Sequence, residues 1–379
     1  MRIGLNLLFL LPGVSAGVAT YARGILTGLA RVGGGGHRYF VFLNRESAGF
    51  ALPQTGCFER VVCDVRAVRR EARYAYEQVW LPVLVARLRL DVLHSLSYVS
   101  PLLVPCPSVV TIHDANFRAF GNRLGIRRRL LLPRFIRSAA ARAARIITVS
   151  EFSRIELISA LSLRNLEKRI EVIPEAPDPV LVEELNSCRE SKLPAPFPSE
   201  YALTLNIGGP NKNAERLLRV WAQLGREGLA LPLVVAGHPP PCLNREPASS
   251  LLADGLVHPV GFLTARRLAA YLRRARIFVF PSLYEGFGLP VLEAMVAGVP
   301  VVCSGSTAVK ETAGDAALAF DPESESEMYS AIVKILRDAC LRERLVQLGL
   351  SHVAKFSWEL AASRTVAVYE RVGSEASRD

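Results

Sequence analysis

Pro281-Ser282-Leu283-Tyr284-Glu285-Gly286-Phe287-Gly288-Leu289-Pro290-Val291-Leu292-Glu293-Ala294-Met295 sets two carboxylates, Glu285 and Glu293, eight residues apart around a glycine turn that leads into a helix. The four residues before it, 277–280, form an apolar run suited to a buried parallel strand, and Pro290 brings the φ favoured at the first helical position. Gly298 followed by Pro300 stops the helix. Glu285 is therefore expected on the loop at the strand's carboxyl end, with Glu293 in the first turns of the helix. Gly286 and Gly288 let backbone approach a ligand closely. Amide groups and the positive end of a helix dipole converge there, an environment suited to a diphosphate, and the carboxylates can accept hydrogen bonds from sugar and ribose hydroxyls. The plainer alternative is a pair of glutamates that cap and solubilise a helix.

The same strand-then-helix rhythm runs along the chain. Apolar runs at 3–8, 39–43, 61–63, 92–94, 109–112, 146–149 and 170–173 alternate with helical patterns that include 18–30, 78–88, 127–144 and 151–159. Pro174, Pro177 and Pro179 close this half, and a polar, proline-rich stretch over 175–200 reads as an interdomain connection. Alternation resumes with strands at 202–207, 233–236, 257–260, 277–280, 301–303 and 317–320, and helices such as 217–224 and 265–275. The fold class is α/β, a doubly wound parallel sheet built twice. Gly33 to Gly36 reads as a flexible turn. The expected organisation is one domain over 1–180, a second over 181–355 and a terminal helix within 356–379.

A chain of 379 residues is long for one core and suits two domains, and with half its residues hydrophobic both cores can be filled. Seven cysteines, scattered and without a Cys-x-x-Cys pair, describe neither a disulfide framework nor a zinc site, so a reducing cytoplasm is the expected compartment. The opening apolar run imitates a signal peptide, but Asn6 interrupts it, and a first buried strand is the preferred reading. No apolar run is long enough to span a bilayer. The net charge of +11 invites an anionic partner. Arginines gather at Arg66, Arg69, Arg70 and Arg73, and again around Arg127, Arg128, Arg129, Arg134 and Arg137, where leucines and isoleucines accompany them. This second cluster reads as a basic amphipathic stretch for the inner face of an anionic plasma membrane, with a solvated face as the alternative. Aromatic residues are sparse there, which argues against nucleic acid.

Further candidate residues follow from position. Lys212 lies after the second domain's first strand and before its first helix, where a point charge meets a diphosphate. His113 ends an apolar run and would stand at a strand's carboxyl edge; His94 has the same kind of location. Gly13, Ala16 and Gly17 belong to the loop between the first strand and first helix, a place for an acceptor or phosphate, although no complete GxGxxG is present. Nothing in the chain demands a metal, since no Asp-x-Asp occurs, and no cofactor is called for.

The Glu285 to Glu293 segment resembles the signature of retaining GT-B glycosyltransferases of family four (glycosyl transferases group 1). Blocks at 2–21, 91–94, 111–114, 148–153, 172–174, 261–263 and 356–358 extend the resemblance over nearly the whole chain in the family's order. It implies two Rossmann-like domains facing across a cleft, a last helix that returns to the first domain, and metal-independent transfer from a nucleotide diphosphate sugar. It also implies roles: Glu285 on sugar hydroxyls, Glu293 on the ribose, Lys212 on the diphosphate, His113 at the donor sugar, and the backbone of Gly286, Phe287, Gly288 and Leu289 beside the donor. The acceptor is expected to attack the face from which the diphosphate departs, with a leaving-phosphate oxygen taking its proton. Mannosyltransferase-like members of cell-surface polysaccharide assembly match most closely, which points to GDP-mannose as the leading donor, with UDP-glucose, UDP-N-acetylglucosamine and rhamnose donors open, and to a glycan or lipid-linked acceptor. The chain departs from the family at Asn211, where many members carry arginine before the lysine, and at Ala16-Gly17, where two glycines are usual. A nucleotide-sugar epimerase, or a catalytically silent protein binding membrane or nucleic acid on the same fold, is the alternative.

Overall fold

The computed structural model describes residues 1–13, 16–119, 126–187 and 198–376. They form two compact units, one of Met1–Ala176 with Ser357–Asp379 and one of Pro177–Phe356.

The first unit begins β1 (Arg2–Asn6), α1 (Ala16–Arg31), β2 (Arg38–Leu43), β3 (Phe58–Val62) and α2 (Arg70–Arg87). It continues with β4 (Val92–Ser95), β5 (Ser108–Thr111), α3 (Asn116–Ala119), α4 (Ile126–Arg142), β6 (Arg145–Thr148), α5 (Glu151–Leu161) and β7 (Ile170–Val172). Its sheet has the order β3-β2-β1-β4-β5-β6-β7, every pairing parallel. The second unit opens with α6 (Pro179–Asn186), β8 (Ala202–Leu205), α7 (Ala214–Arg226), β9 (Leu233–Ala236), α8 (Ala248–Ala253), β10 (Val257–Gly261) and α9 (Ala265–Arg274). There follow β11 (Ile277–Phe280), α10 (Leu289–Val296), β12 (Val301–Ser304), α11 (Thr307–Ala313), β13 (Leu318–Phe320), α12 (Glu325–Arg337) and α13 (Ala339–Val353). This sheet is also parallel, in the order β10-β9-β8-β11-β12-β13. The fold is thus α/β with two Rossmann-like doubly wound sheets, as the alternation of apolar runs and helical patterns requires.

Most inner strands are buried along their whole length because helices cover both faces: every residue of β4, β5, β8, β9, β11 and β12 is buried. Each helix supplies an apolar stripe. On α7, Leu217, Leu218, Trp221 and Leu224 are buried together with Val235, Ile277 and Met328, and the Trp221 indole donates to the Leu231 carbonyl at 2.8 Å. Edge strand β3 is mostly exposed. Two expectations change in detail. The run of four glycines is a 3₁₀ turn, and α2 begins at Arg70, well before the apolar pattern near Gln78. Its buried positions are Arg73, Glu77, Leu81 and Val85, a four-residue spacing whose first two members are charged, so hydropathy alone hides the first turns.

The final helix, α14 (Trp358–Ala376), lies against α1 in the first unit. Two glycines one turn apart on α1 make this possible. A Cβ at Gly24 would fall 2.0 Å from the Trp358 ring, and one at Gly28 would fall 2.1 Å from the Trp358 carbonyl oxygen. Trp358 is consequently only 4% exposed and meets Tyr21 edge-on at 5.9 Å. Gly28→Ala forces the α14 backbone outward, and overpacking of this kind costs about 1–3 kcal/mol. The urea midpoint of unfolding should fall accordingly, whereas alanine at the open position Gly17 should leave it nearly unchanged.

Candidate active site

Strand order reverses between β8 and β11 in the second unit, and the loops leaving the carboxyl ends of those neighbouring strands diverge there. Lys212 stands on the first loop and Glu285 on the second. The Lys212 Nζ donates to Glu285 Oε1 at 2.5 Å, and both side chains retain partial exposure, 20% and 16%. The same ammonium sits 5.5 Å from the centre of the Phe280 ring, the last residue of β11. Residues 73 apart in sequence therefore form one ion pair at the place where a doubly wound sheet receives ligands.

Backbone bonds and amide side chains hold the two loops together. The Leu283 amide donates to the Asn211 carbonyl at 2.8 Å, and Asn211 Nδ2 donates to the Tyr284 carbonyl at 2.9 Å. Asn213, in the left-handed region at φ +59°, precedes the first residue of α7 without a side-chain cap bond, and its Nδ2 donates to the carbonyls of Pro281 and Pro322. Asn211, where the family pattern led us to expect arginine, is thus a strut between the lysine loop and the glutamate loop. A Cβ at Gly208 would lie 2.9 Å from the His238 carbonyl oxygen, which explains the glycine that lets this loop pass.

Gly288 adopts φ +106° and α10 starts at Leu289, so Pro290 is its second residue and not its first. The glycine turn opens the helix one residue early; the missing proline N–H still falls among the unpaired amides of the first turn. Glu293, on the second turn of α10, is half-buried, and Leu289 likewise. Gly286 is buried. Phe287 turns its ring inward to Phe356, centroids 6.0 Å apart, while its carbonyl accepts from Thr312 Oγ1 at 2.6 Å. Thr307, at the start of α11 beyond β12, holds φ +56°, a strained value for a β-branched residue, and its buried hydroxyl finds no partner among the described residues.

In the first unit the reversal falls between β1 and β4. Asn6 at the end of β1 donates to Ser95 Oγ at 3.3 Å and to Glu77 Oε1 at 3.4 Å. Glu77 is 1% exposed, and burial, opposed by the charge of Arg73 and the Asn6 bond, pushes its carboxyl up to about 7. Gly13 adopts φ +74°, and open space surrounds the Cβ positions of Gly13 and Gly17; the side chain of Ala16 lies outside the described residues. His94 is wholly buried between the Tyr369 hydroxyl at 2.6 Å and Thr111 Oγ1 at 2.8 Å. Burial, with the nearby His113 charge, pushes it down to about 3, so it is a neutral link between the sheet and α14.

His113, just past β5, is 8% exposed. Its Nδ1 lies 3.1 Å from Glu175 Oε1 and its Nε2 lies 3.3 Å from the Leu96 carbonyl. Burial opposes charge on the ring, but the Glu175 hydrogen bond and charge, the Leu96 carbonyl and Asp114 outweigh it and raise the pKa. Glu175 had only the appearance of a linker residue; it is 5% exposed and belongs to the first unit. No local pattern announces it, since its partner is 62 residues away. Arg127, Arg128 and Arg129 fall on α4, and their side chains lie outside the described residues. Among the described residues no helix is long and apolar enough to cross a membrane.

Two doubly wound parallel sheets in one chain define the GT-B class, and sucrose-phosphate synthase from Thermosynechococcus elongatus superposes with a TM-score of 0.73 at 18% identity, over 99% of this chain and 100% of that one. "Glycosyltransferase Family 4" matches residues 15–180 and "Glycosyl transferases group 1" matches residues 203–338. The chain belongs to the family 4, group 1 glycosyltransferases. O-antigen chain mannosyltransferase B of Escherichia coli is 33% identical over 241 residues, 59% of this chain and 60% of that protein. The serotype-specific mannosyltransferase WbdA of Escherichia coli is 30% identical over 246 residues, 59% of this chain and 30% of that protein. The similarity therefore spans less than two thirds of the length of these curated relatives.

Asn211→Ala removes the donor that the Tyr284 carbonyl uses. Loss of one such bond costs about 1 kcal/mol, and amide hydrogen exchange across residues 283–288 should quicken while exchange in β8 and β11 stays slow.

Proposed function

We propose that the chain is a retaining hexosyltransferase that moves mannose from GDP-mannose to a hydroxyl of a glycan or lipid-linked acceptor in cell-surface polysaccharide synthesis. The observation that carries this reading is the Lys212–Glu285 pair at the strand reversal of the second unit. In the free protein the carboxylate neutralises the ammonium. An arriving diphosphate takes Lys212 as its counter-charge, and Glu285 is released to accept hydrogen bonds from sugar hydroxyls. Glu293 receives the ribose hydroxyls, and the first amides of α10 face the phosphates. Alignment and charge supply the catalysis: the acceptor hydroxyl attacks the face the diphosphate leaves, and a phosphate oxygen takes its proton. The mannosyltransferase relatives support mannose, and family membership speaks against the epimerase alternative.

Thermal shift against GDP, UDP and ADP and their sugar conjugates tests the donor. A ligand at one hundred times its Kd stabilises the fold by about 2.7 kcal/mol, so GDP and GDP-mannose should raise the Tm selectively. Glu293→Ala should weaken that shift, and Glu285→Ala should depress transfer with the fold intact. A shift with UDP alone replaces the donor; no shift with any nucleotide favours the silent binding protein. Retention is read from the anomeric coupling of the product.

A peripheral contact with an anionic membrane is the second part of the proposal, favoured by one observation. On α2, Val79, Trp80 and Val83 are 59%, 57% and 37% exposed, on a helix that begins with Arg70 and follows Arg66 and Arg69. The neighbouring basic helix α4 packs on it through Phe135 and Tyr74, ring centres 5.2 Å apart. Trp at an interface with basic residues around it suits a headgroup layer. Sedimentation with phosphatidylglycerol vesicles should weaken with salt, with Trp80→Ala, and with alanine at Arg127, Arg128 and Arg129 together. Binding indifferent to all three rejects the contact.

A further inference from the structure

We infer that Glu175 is a positioning residue for His113, keeping both ring nitrogens protonated and aimed, so that His113 serves the transfer as a cation and hydrogen-bond donor and never as its base. The inference rests on the reading that His113 belongs to the reaction centre.

Both groups that the ring faces are acceptors: the Glu175 carboxylate at 3.1 Å from Nδ1 and the Leu96 carbonyl at 3.3 Å from Nε2. A neutral imidazole carries one N–H, so beside an ionised Glu175 it would set one lone pair against another. An imidazolium satisfies both. The ring is also fixed at its backbone, for Ser153 Oγ donates to the His113 carbonyl at 2.9 Å and Thr148 Oγ1 to the Ile112 carbonyl at 2.8 Å. The Ile173 amide donates to the Thr148 carbonyl at 2.8 Å and holds the exit from β7 in place, with Glu175 two residues further on.

The groups facing the ring from each packed element leave this charge uncontested. Tyr21 on α1 meets it edge-on at 4.7 Å, and burial raises the Tyr21 hydroxyl still further above its usual range. His94 on β4 is neutral, as its burial between two hydroxyls requires. Tyr98, beyond β4, lies 6.2 Å away and donates to Asp114 at 3.0 Å. The groups that remain, Glu175 and Asp114, both favour the protonated ring. A buried ion pair stabilises a fold no better than a well-packed apolar pair of equal volume. What it supplies instead is a lasting positive charge at the carboxyl edge of β5. An imidazolium cannot accept a proton, and the longer Nε2 contact is the bond that a substrate hydroxyl can replace.

With the folded pKa raised above 6.5, the pair's contribution to stability is full below that value and is lost as pH rises through the folded pKa. Histidine ring NMR of the whole chain should show His113 titrating above its ordinary value, Glu175→Gln should bring it down, and Glu175→Asp should restore most of the shift. The rate of GDP release from GDP-mannose should show an alkaline limb that moves acid by the same amount in Glu175→Gln and returns in Glu175→Asp. Full turnover in His113→Gln removes His113 from the reaction centre, while the NMR arm still judges the hold of Glu175 on the proton. An inactive His113→Gln beside a wild-type pH profile in Glu175→Gln overturns the inference. Should Glu175→Gln fail to fold, the wild-type titration decides, and a His113 that deprotonates at or below its ordinary pKa overturns it equally.

Discussion

Parallel strands cannot be joined by hairpins, and this constraint organises everything else in the molecule. Each connection must cross over the sheet, crossovers share one hand, and helices accumulate on whichever face the winding direction selects. A sheet wound both ways has one place where the direction reverses and the loops part. That place is β8 and β11 in the second unit and β1 and β4 in the first. Lys212 and Glu285 meet at the former, and Asn6, Ser95 and Glu77 gather at the latter. No residue of these sets approaches its partners through local structure; the sheet brings them together.

Polar groups at the strand ends are held by acceptors and donors from the backbone as much as by one another. Asn211 and Asn213 each spend a side-chain amide on a carbonyl of the glutamate loop, so the position of Glu285 is set before any ligand arrives. The Leu96 carbonyl and Glu175 do the same for His113. Preorganisation of this kind suits chemistry in which the protein supplies alignment and charge, because little reorganisation is left for the reaction itself. The Lys212–Glu285 pair differs from the His113–Glu175 pair in one respect. The former keeps partial access to solvent, whereas the latter is closed in.

Much of the fold was legible in the residues. Apolar runs of three to six residues became parallel strands, and the stripe on α7 became a buried helix face, because both signals are local consequences of burying one face or two. Where charge occupied buried positions, as at Arg73 and Glu77 on α2, hydropathy misplaced the element's start. Of the candidate site, the glycine turn, the carboxylates at 285 and 293 and the lysine at 212 could be named from spacing and chemistry. The work of Asn211 could not, since its amide acts on a carbonyl 73 residues away.

The amino-acid sequence by itself determined the alternation of strand and helix, the glycine turn before α10 and the chemistry of the loop residues, because backbone preference and hydropathy act within a few residues. Tertiary structure alone decided which loops adjoin, that Gly24 and Gly28 make room for Trp358, and that Glu175 is a buried partner of His113 and not a residue of a linker. The physical reason is separation: these contacts join residues from 62 to more than 300 positions apart, and only closure of the sheet and its helices brings such groups within the reach of a hydrogen bond or a van der Waals contact.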